Sequence, residues 1–144
     1  MATTNQAIIT EAFQKIGIVR EGQQAGPTQT ANALTILNDN MATNQRDGWG
    51  AMGWYPQSSA QLSSNAPLKD EDIGDVKLCL ASWIAPHYGV SVPTSPDPDD
   101  MAILGNQIKA AFRRLNKRYL KFAESDLGEL SRSQGGPWGG PNYI

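Results

Sequence analysis

The stretch that most constrains the fold lies at residues 70–89, with the sequence DEDIGDVKLCLASWIAPHYG. Its apolar side chains recur at helical spacing, and three acids stand at its start, where the positive end of a helix dipole favours negative charge. Pro86 cannot continue a helix, so we expect a kink or an end near Ala85. The pattern predicts a strongly apolar helix on which the other helices pack. Its apolar positions are Ile73, Val76, Cys79, Leu80, Trp83 and Ile84.

Three further segments show helical spacing of apolar residues. The first covers residues 3–17, with a threonine as its cap and a glycine as its stop. The second starts with Thr28 as its cap, just after Pro27, and ends near residues 45–49. The last, at about 99–122, is the longest and has the clearest periodicity. The sequence therefore predicts an all-α fold with a four-helix bundle-like core.

Two segments lack such a pattern. Residues 50–69 begin with aromatic side chains and continue as a serine-rich stretch, which allows an extended arm or a short hairpin. Residues 124–144 are rich in glycine and proline, which predicts a flexible tail after a helical domain at 1–123. Large apolar side chains in such segments suggest contacts with other molecules. The predicted contact residues are Trp54, Tyr55 and Leu62 in the arm, and Trp138, Pro141, Asn142, Tyr143 and Ile144 in the tail.

Composition narrows the class of protein. A chain of 144 residues with 40% hydrophobic residues and a net charge of −2 is typical of one soluble globular domain. A single cysteine, Cys79, cannot form an internal disulfide, which fits a reducing compartment. No apolar run approaches the roughly 20 residues that span a bilayer, and the N-terminal sequence does not resemble a secretory signal.

The residues that could carry catalysis have simpler structural interpretations. Asp97, Asp99 and Asp100 could bind a metal, but no ligand set or loop glycine follows them, which favours helix capping. His87 is the only histidine and has no nucleophile spaced to use it. Cys79 falls in an apolar helical pattern, as a buried and inert thiol does. We expect no enzyme activity, no metal and no cofactor.

The predicted fourth helix carries a basic face with no acid among its cations. Pairs at i,i+4 such as Arg113–Lys117 and Arg114–Arg118 bring like charges together, which mildly destabilises an isolated helix. A solvated helix face, contact with an acidic neighbouring subunit and contact with a DNA backbone all remain open. The six cations are Lys109, Arg113, Arg114, Lys117, Arg118 and Lys121.

Four pieces, in order along residues 1–122, resemble the head-to-tail adaptor family of tailed phages, whose small helical proteins dock beneath the portal. They are AFQKIGIV at 12–19, ALTILNDNMATNQRDGW at 33–49, CLASWIAPHYGV at 79–90, and a long charged fourth helix ahead of a C-terminal tail. The 79–90 piece is the most specific of them.

The resemblance implies a virion structural protein of the phage neck, made in the host cytoplasm and without catalysis. Family members form a twelve-subunit ring in register with the portal, and double-stranded DNA passes through the ring. The tail at 124–144 would dock on the portal, and the opposite face would receive the tail nozzle, tube or hub protein. Trp54 and Tyr55 would contact a neighbouring subunit or the tail. The alternative hypothesis is a small helical DNA-binding or regulatory protein that uses the basic face of the fourth helix.

Overall fold

The computed structural model describes residues 3–135, with side chains described as far as Tyr119. This part of the chain is all-helical and contains no strand, since Thr4 and Asn65 form only an isolated bridge. The predicted all-α, bundle-like class is therefore confirmed. The four α-helices are α1 (Asn5–Lys15), α2 (Pro27–Asn44), α3 (Asp70–Ile84) and α4 (Leu104–Gly135).

Local signals in the sequence account for the first two helices. The Thr4 hydroxyl accepts a hydrogen bond from the Ala7 N–H at 3.1 Å and so caps α1. Gly17 follows α1 with a φ of +79°, the left-handed conformation that ends many helices. The expected Thr28 cap of α2 is wrong, because Pro27 is already the first helical residue and Gly26 precedes it as the cap. Proline suits this first position because its missing N–H would have no partner there.

The central element is α3, which packs against the other three α-helices. It ends at Ile84, and a 3₁₀ turn then carries the chain from Ala85 to Tyr88. The predicted end near Ala85 is therefore confirmed. Its large apolar side chains form a continuous buried face, and the Tyr88 ring packs edge-on against the Phe13 ring of α1 with the centroids 5.3 Å apart.

A second aromatic cluster joins the end of α2 to α3 and α4. Trp49 lies in a short π-helical turn at Gln45–Trp49 and is only 2% exposed. Its ring centroid lies 6.5 Å from that of Trp83 and 6.1 Å from that of Phe112. The Trp49 indole N–H donates to the Asn116 Oδ1 at 2.9 Å, so this buried donor is satisfied. The cluster fixes how α2 approaches the pair formed by α3 and α4.

The 50–69 segment folds onto the start of α1. The Asn5 and Gln6 N–H groups donate to the carbonyls of Ser64 and Leu62 at 3.1 and 2.9 Å. These are among the first N–H groups of α1, which have no partner within the helix. An extended arm and a hairpin are both wrong for this segment, because the backbone of residues 62–66 completes the N-terminus of α1 instead.

Amide side chains hold the same segment against α2. The Asn38 side chain bonds both the N–H and the carbonyl of Gln57, at 2.9 and 2.7 Å. The fully buried Asn5 amide donates to the Gln57 side chain at 2.9 Å. Buried polar groups of this kind destabilise a fold unless they are paired, so these bonds specify one conformation of the segment.

The bounds of α4 differ from the expected 99–122. The helix begins at Leu104, since residues 97–103 form turns in which aspartates bond to nearby backbone N–H groups. It continues to Gly135, so the expected boundary between a domain at 1–123 and a tail at 124–144 falls within a helix. At its start, the Gly105 N–H donates to the Pro93 carbonyl at 2.8 Å. This hydrogen bond holds the connection 90–103 against the start of α4.

Gly105→Ala should destabilise the protein, whereas Gly74→Ala should stabilise it. A Cβ at Gly105 would lie 2.3 Å from the Pro93 carbonyl oxygen, while one at Gly74 would meet nothing within 4 Å. Relief of glycine's conformational entropy should stabilise the Gly74 variant by about 0.5–1 kcal/mol, and the backbone shift should cost the Gly105 variant about 1–3 kcal/mol. Urea unfolding of both variants measures the difference. Equal effects would contradict the close approach at Gly105.

Candidate functional site

A cluster of charged side chains joins α3 to α4. The Arg114 Nε and Nη2 donate to the Asp75 Oδ1 at 2.9 and 2.6 Å, and the Arg118 Nη2 donates to the Asp75 Oδ2 at 3.1 Å. The Arg118 Nη1 and the Tyr119 hydroxyl donate to the two carboxylate oxygens of Asp72. The acids are three residues apart on α3 and the arginines four apart on α4, so each pair shares one helix face.

The two acids of this charge cluster are buried, so they need charged or hydrogen-bonding partners. Asp72 is fully buried and the Asp75 side chain is 8% exposed, whereas the Arg118 side chain remains 31% exposed. Burial lowers the pKa of the Arg118 guanidinium, but hydrogen bonds and charge from Asp75 and Asp72 outweigh it and raise the pKa overall. Burial also raises the pKa of Tyr119, and its bond to Asp72 adds to that effect. Arg118 therefore stays charged and Tyr119 stays protonated, which suits a structural role rather than proton transfer.

The cluster corrects two expectations from the sequence. The sequence places Asp72 among three acids that suit the helix dipole at the start of α3, but its carboxylate faces α4. Arg114 and Arg118 belong to the basic face predicted for the fourth helix, but both pair with acids of the same chain. Asp75 is not among the candidate residues that the sequence indicates. The signal that could have found it is its position, three residues after Asp72 and within the apolar pattern of α3. An acid at such a position is tolerated only when it is paired.

The remaining described cations of α4 point away from α3. Lys109, Arg113 and Lys117 are exposed and form no hydrogen bond or ion pair with any described residue. The Lys121 side chain lies outside the part described. Successive members are four residues apart, so they follow one another along the outward surface of the helix. We call these three residues the α4 cation line.

The predicted contact residues of the 50–69 segment fall into different environments. Trp54 is 4% exposed and belongs to the core, whereas Tyr55 is 55% exposed. Leu62 is half-buried and packs against the core. Of the three, Tyr55 offers the largest surface to another molecule. The predicted docking residues Trp138, Pro141, Asn142, Tyr143 and Ile144 lie outside the described residues.

The groups that could support catalysis are scattered or buried. Cys79 is fully buried, and desolvation raises the pKa of its thiol, so it is not poised as a nucleophile. His87 is exposed on the 3₁₀ turn after α3. Within residues 3–119, no three His, Cys, Asp or Glu side chains are grouped so as to hold a metal ion. None of the described helices is long and apolar enough to cross a membrane.

An open groove lies between the end of α1 and the start of α4. It has a volume of about 490 Å³ and is lined partly by the aliphatic side chains of Ile16, Val92 and Ile103. Its polar lining residues include Gln14 and Lys15, and they form no catalytic grouping. The groove is therefore a surface feature without the convergent polar groups of an active site.

Comparison with known proteins adds no relative to this picture: no protein-family model matches the chain, and a search of curated proteins finds no match.

Asp75→Asn should destabilise the protein by about 1–3 kcal/mol, because two arginines lose their shared carboxylate while their outer atoms still reach solvent. Asp39→Asn is the matched control, since Asp39 is exposed on α2, and we expect a change within about 0.5 kcal/mol. Urea unfolding in low and high salt measures both. A loss equally small for both variants would contradict a structural role for the cluster.

The free energy of unfolding should fall as the pH rises above the ordinary thiol pKa of 9.0. Burial raises the pKa of the Cys79 thiol in the folded state, so over this range only the unfolded chain releases the proton. Relative to Cys79→Ala, the wild type should lose up to about 1.4 kcal/mol per pH unit, while the two should run parallel at neutral pH. Urea unfolding under reducing conditions tests this. A constant difference across the alkaline range would mean that the thiol ionises within the fold.

Proposed function

We propose that this protein is a head-to-tail adaptor of a tailed phage, a non-enzymatic virion protein that forms a ring between the portal and the tail. The observation that carries the proposal is that all four pieces of the family resemblance pack on one another. Phe13 of the first piece meets Tyr88 of the third. Trp49 of the second meets Trp83 of the third and Phe112 of the fourth helix. Segments far apart in sequence thus form one helical scaffold.

The most specific piece, residues 79–90, supports the proposal through its structure. Leu80, Ala81 and Ile84 are fully buried, and Gly89 takes a φ of +67° that a larger residue rarely adopts. The Val90 N–H then donates to the Ala85 carbonyl at 3.0 Å. These residues therefore have a packing or backbone reason to be there, which supports the piece as a marker of a shared scaffold.

A ring needs heterologous contacts, in which one patch of a subunit meets a different patch of the next. Two large apolar side chains are exposed in the described part of the chain, Tyr55 at 55% and Met101 at 48%. They lie in different connections, before α3 and before α4. In this proposal they serve contacts between subunits or with the tail, while residues 136–144 dock on the portal.

The alternative, a free-standing helical DNA-binding protein, loses part of its basis. It relied on six cations of the fourth helix, and two of these, Arg114 and Arg118, pair with Asp75 and Asp72. The adaptor proposal accommodates this loss, since a ring presents many copies of a weak surface at once.

Deletion of residues 136–144 should abolish binding to portal rings encoded in the same genome while leaving the helical circular-dichroism signal unchanged. The cut spares α4, which ends at Gly135, and it removes the large apolar residues Trp138, Tyr143 and Ile144. Electron microscopy and co-sedimentation with purified portal rings measure binding. A second variant, Trp138→Ala with Tyr143→Ala in the undeleted chain, should lose binding as well. Normal portal binding by the deleted chain would refute the docking tail.

A further inference from the structure

We propose that the α4 cation line binds the phosphate groups of a nucleic-acid backbone. Lys109, Arg113 and Lys117 are exposed on one outward strip of α4 and have no counter-ion among the described residues. From residue 104 to residue 123 the helix contains no acid that could neutralise them. The inference rests on this surface alone and does not require the adaptor ring.

The cation line differs from the other cations described on α4, because those cations have counter-ions on α3. Arg114 and Arg118 are also like charges four residues apart, but Asp75 and Asp72 neutralise them. The pairs in the cation line gain no such relief, and each i,i+4 repulsion costs about 0.2–0.5 kcal/mol. An anionic ligand along the outward strip would neutralise the line, as the two aspartates of α3 neutralise the two arginines.

The spacing suits a polyanion that runs along the helix. Four residues of α-helix advance by about 6 Å, so the line covers about 12 Å from its first to its last Cα. A duplex of that length carries about seven phosphate charges at one per 1.7 Å of axis, so each cation can find a partner. Lys and Arg are the residues that most often contact phosphate oxygens.

The surroundings of the line favour nucleic acid over a protein partner. The centre of a protein–protein interface is typically apolar, enriched in aromatic residues, Met and Arg and depleted in Lys. Among the described side chains of α4 the line has no such centre beside it, because Ala110 is small and both Asn116 and Phe112 turn toward the buried Trp49. The exposed apolar side chains Tyr55 and Met101 lie outside α4. Backbone phosphate binding needs no apolar centre, since counter-ion release drives it.

A variant with Lys109→Gln, Arg113→Gln and Lys117→Gln tests the proposal. The matched control is Lys15→Gln, Arg20→Gln and Lys69→Gln, which also removes three exposed cations that pair with no described residue. Each variant takes three positive charges from a chain of net charge −2, so a bulk charge effect would be the same in both. The probe is a fluorescein-labelled duplex of random sequence, followed by fluorescence anisotropy over a series of salt concentrations.

We expect wild-type binding to weaken with salt, with a slope of log affinity against log salt of up to about −2.7 for three phosphate contacts. The cation-line variant should lose at least tenfold in affinity and nearly all of the slope, while the control variant keeps most of both. Lys109→Arg with Lys117→Arg retains the charges and should keep wild-type binding. If the triple variant does not fold, Arg113→Gln alone replaces it and should reduce the magnitude of the slope by about 0.9.

Three results would overturn the proposal. The first is the absence of duplex binding by the wild type at the lowest salt. The second is equal loss in the cation-line and control variants, which would indicate bulk charge alone. The third is unchanged duplex binding with lost self-association or portal binding, which would make the line a protein interface. Portal binding by the cation-line variant is measured in parallel, so a failure of the adaptor proposal is recognised separately.

Discussion

The burial of Asp72 and Asp75 against Arg114 and Arg118 is the constraint on which the rest of the structure depends. A carboxylate with no solvent exposure, such as Asp72, is tolerated only when paired, and its partners Arg118 and Tyr119 come from a single helix. Sliding α4 by one residue would remove those partners and leave a buried charge. Apolar packing alone is less discriminating, since related apolar side chains replace one another at modest cost. The charge cluster therefore sets the register of α4 on α3.

Once that register is set, the other joints of the fold follow. Phe112 packs against Trp49 and Trp83. The Trp49 indole N–H donates to Asn116, which lies one helical turn after Phe112 on α4. The start of α4 comes to rest on the Pro93 carbonyl at Gly105, where a side chain would collide. The same rotation that turns Arg114 toward α3 turns Arg113 outward, because neighbours in a helix differ by about 100°. The core and the outward charge of α4 thus have one common cause.

The sequence predicted the helices wherever local chemistry decides them. The end of α3 before Pro86 and the glycine after α1 depend on backbone conformations that the residue type itself restricts. The 50–69 segment could not be predicted in this way. Its conformation depends on Asn38, Asn5 and the first turn of α1, which are distant in sequence and carry no periodic signal. The segment is held by hydrogen bonds to other helices, and these leave no pattern in its own sequence.

The split of the α4 cations escaped the sequence for a related reason. Helical periodicity places Arg113 and Arg114 on neighbouring strips, but only tertiary contacts decide which strip faces an acid. The acids that decide it lie on α3, and one of them, Asp75, stands in a pattern otherwise read as core. Net charge is equally uninformative, because a value of −2 for the chain hides an acid-free run from residue 104 to residue 123. Local field rather than total charge governs contact with a polyanion within a Debye length of about 8–10 Å. The cations that α4 presents to solvent are therefore those that the acids of α3 do not neutralise.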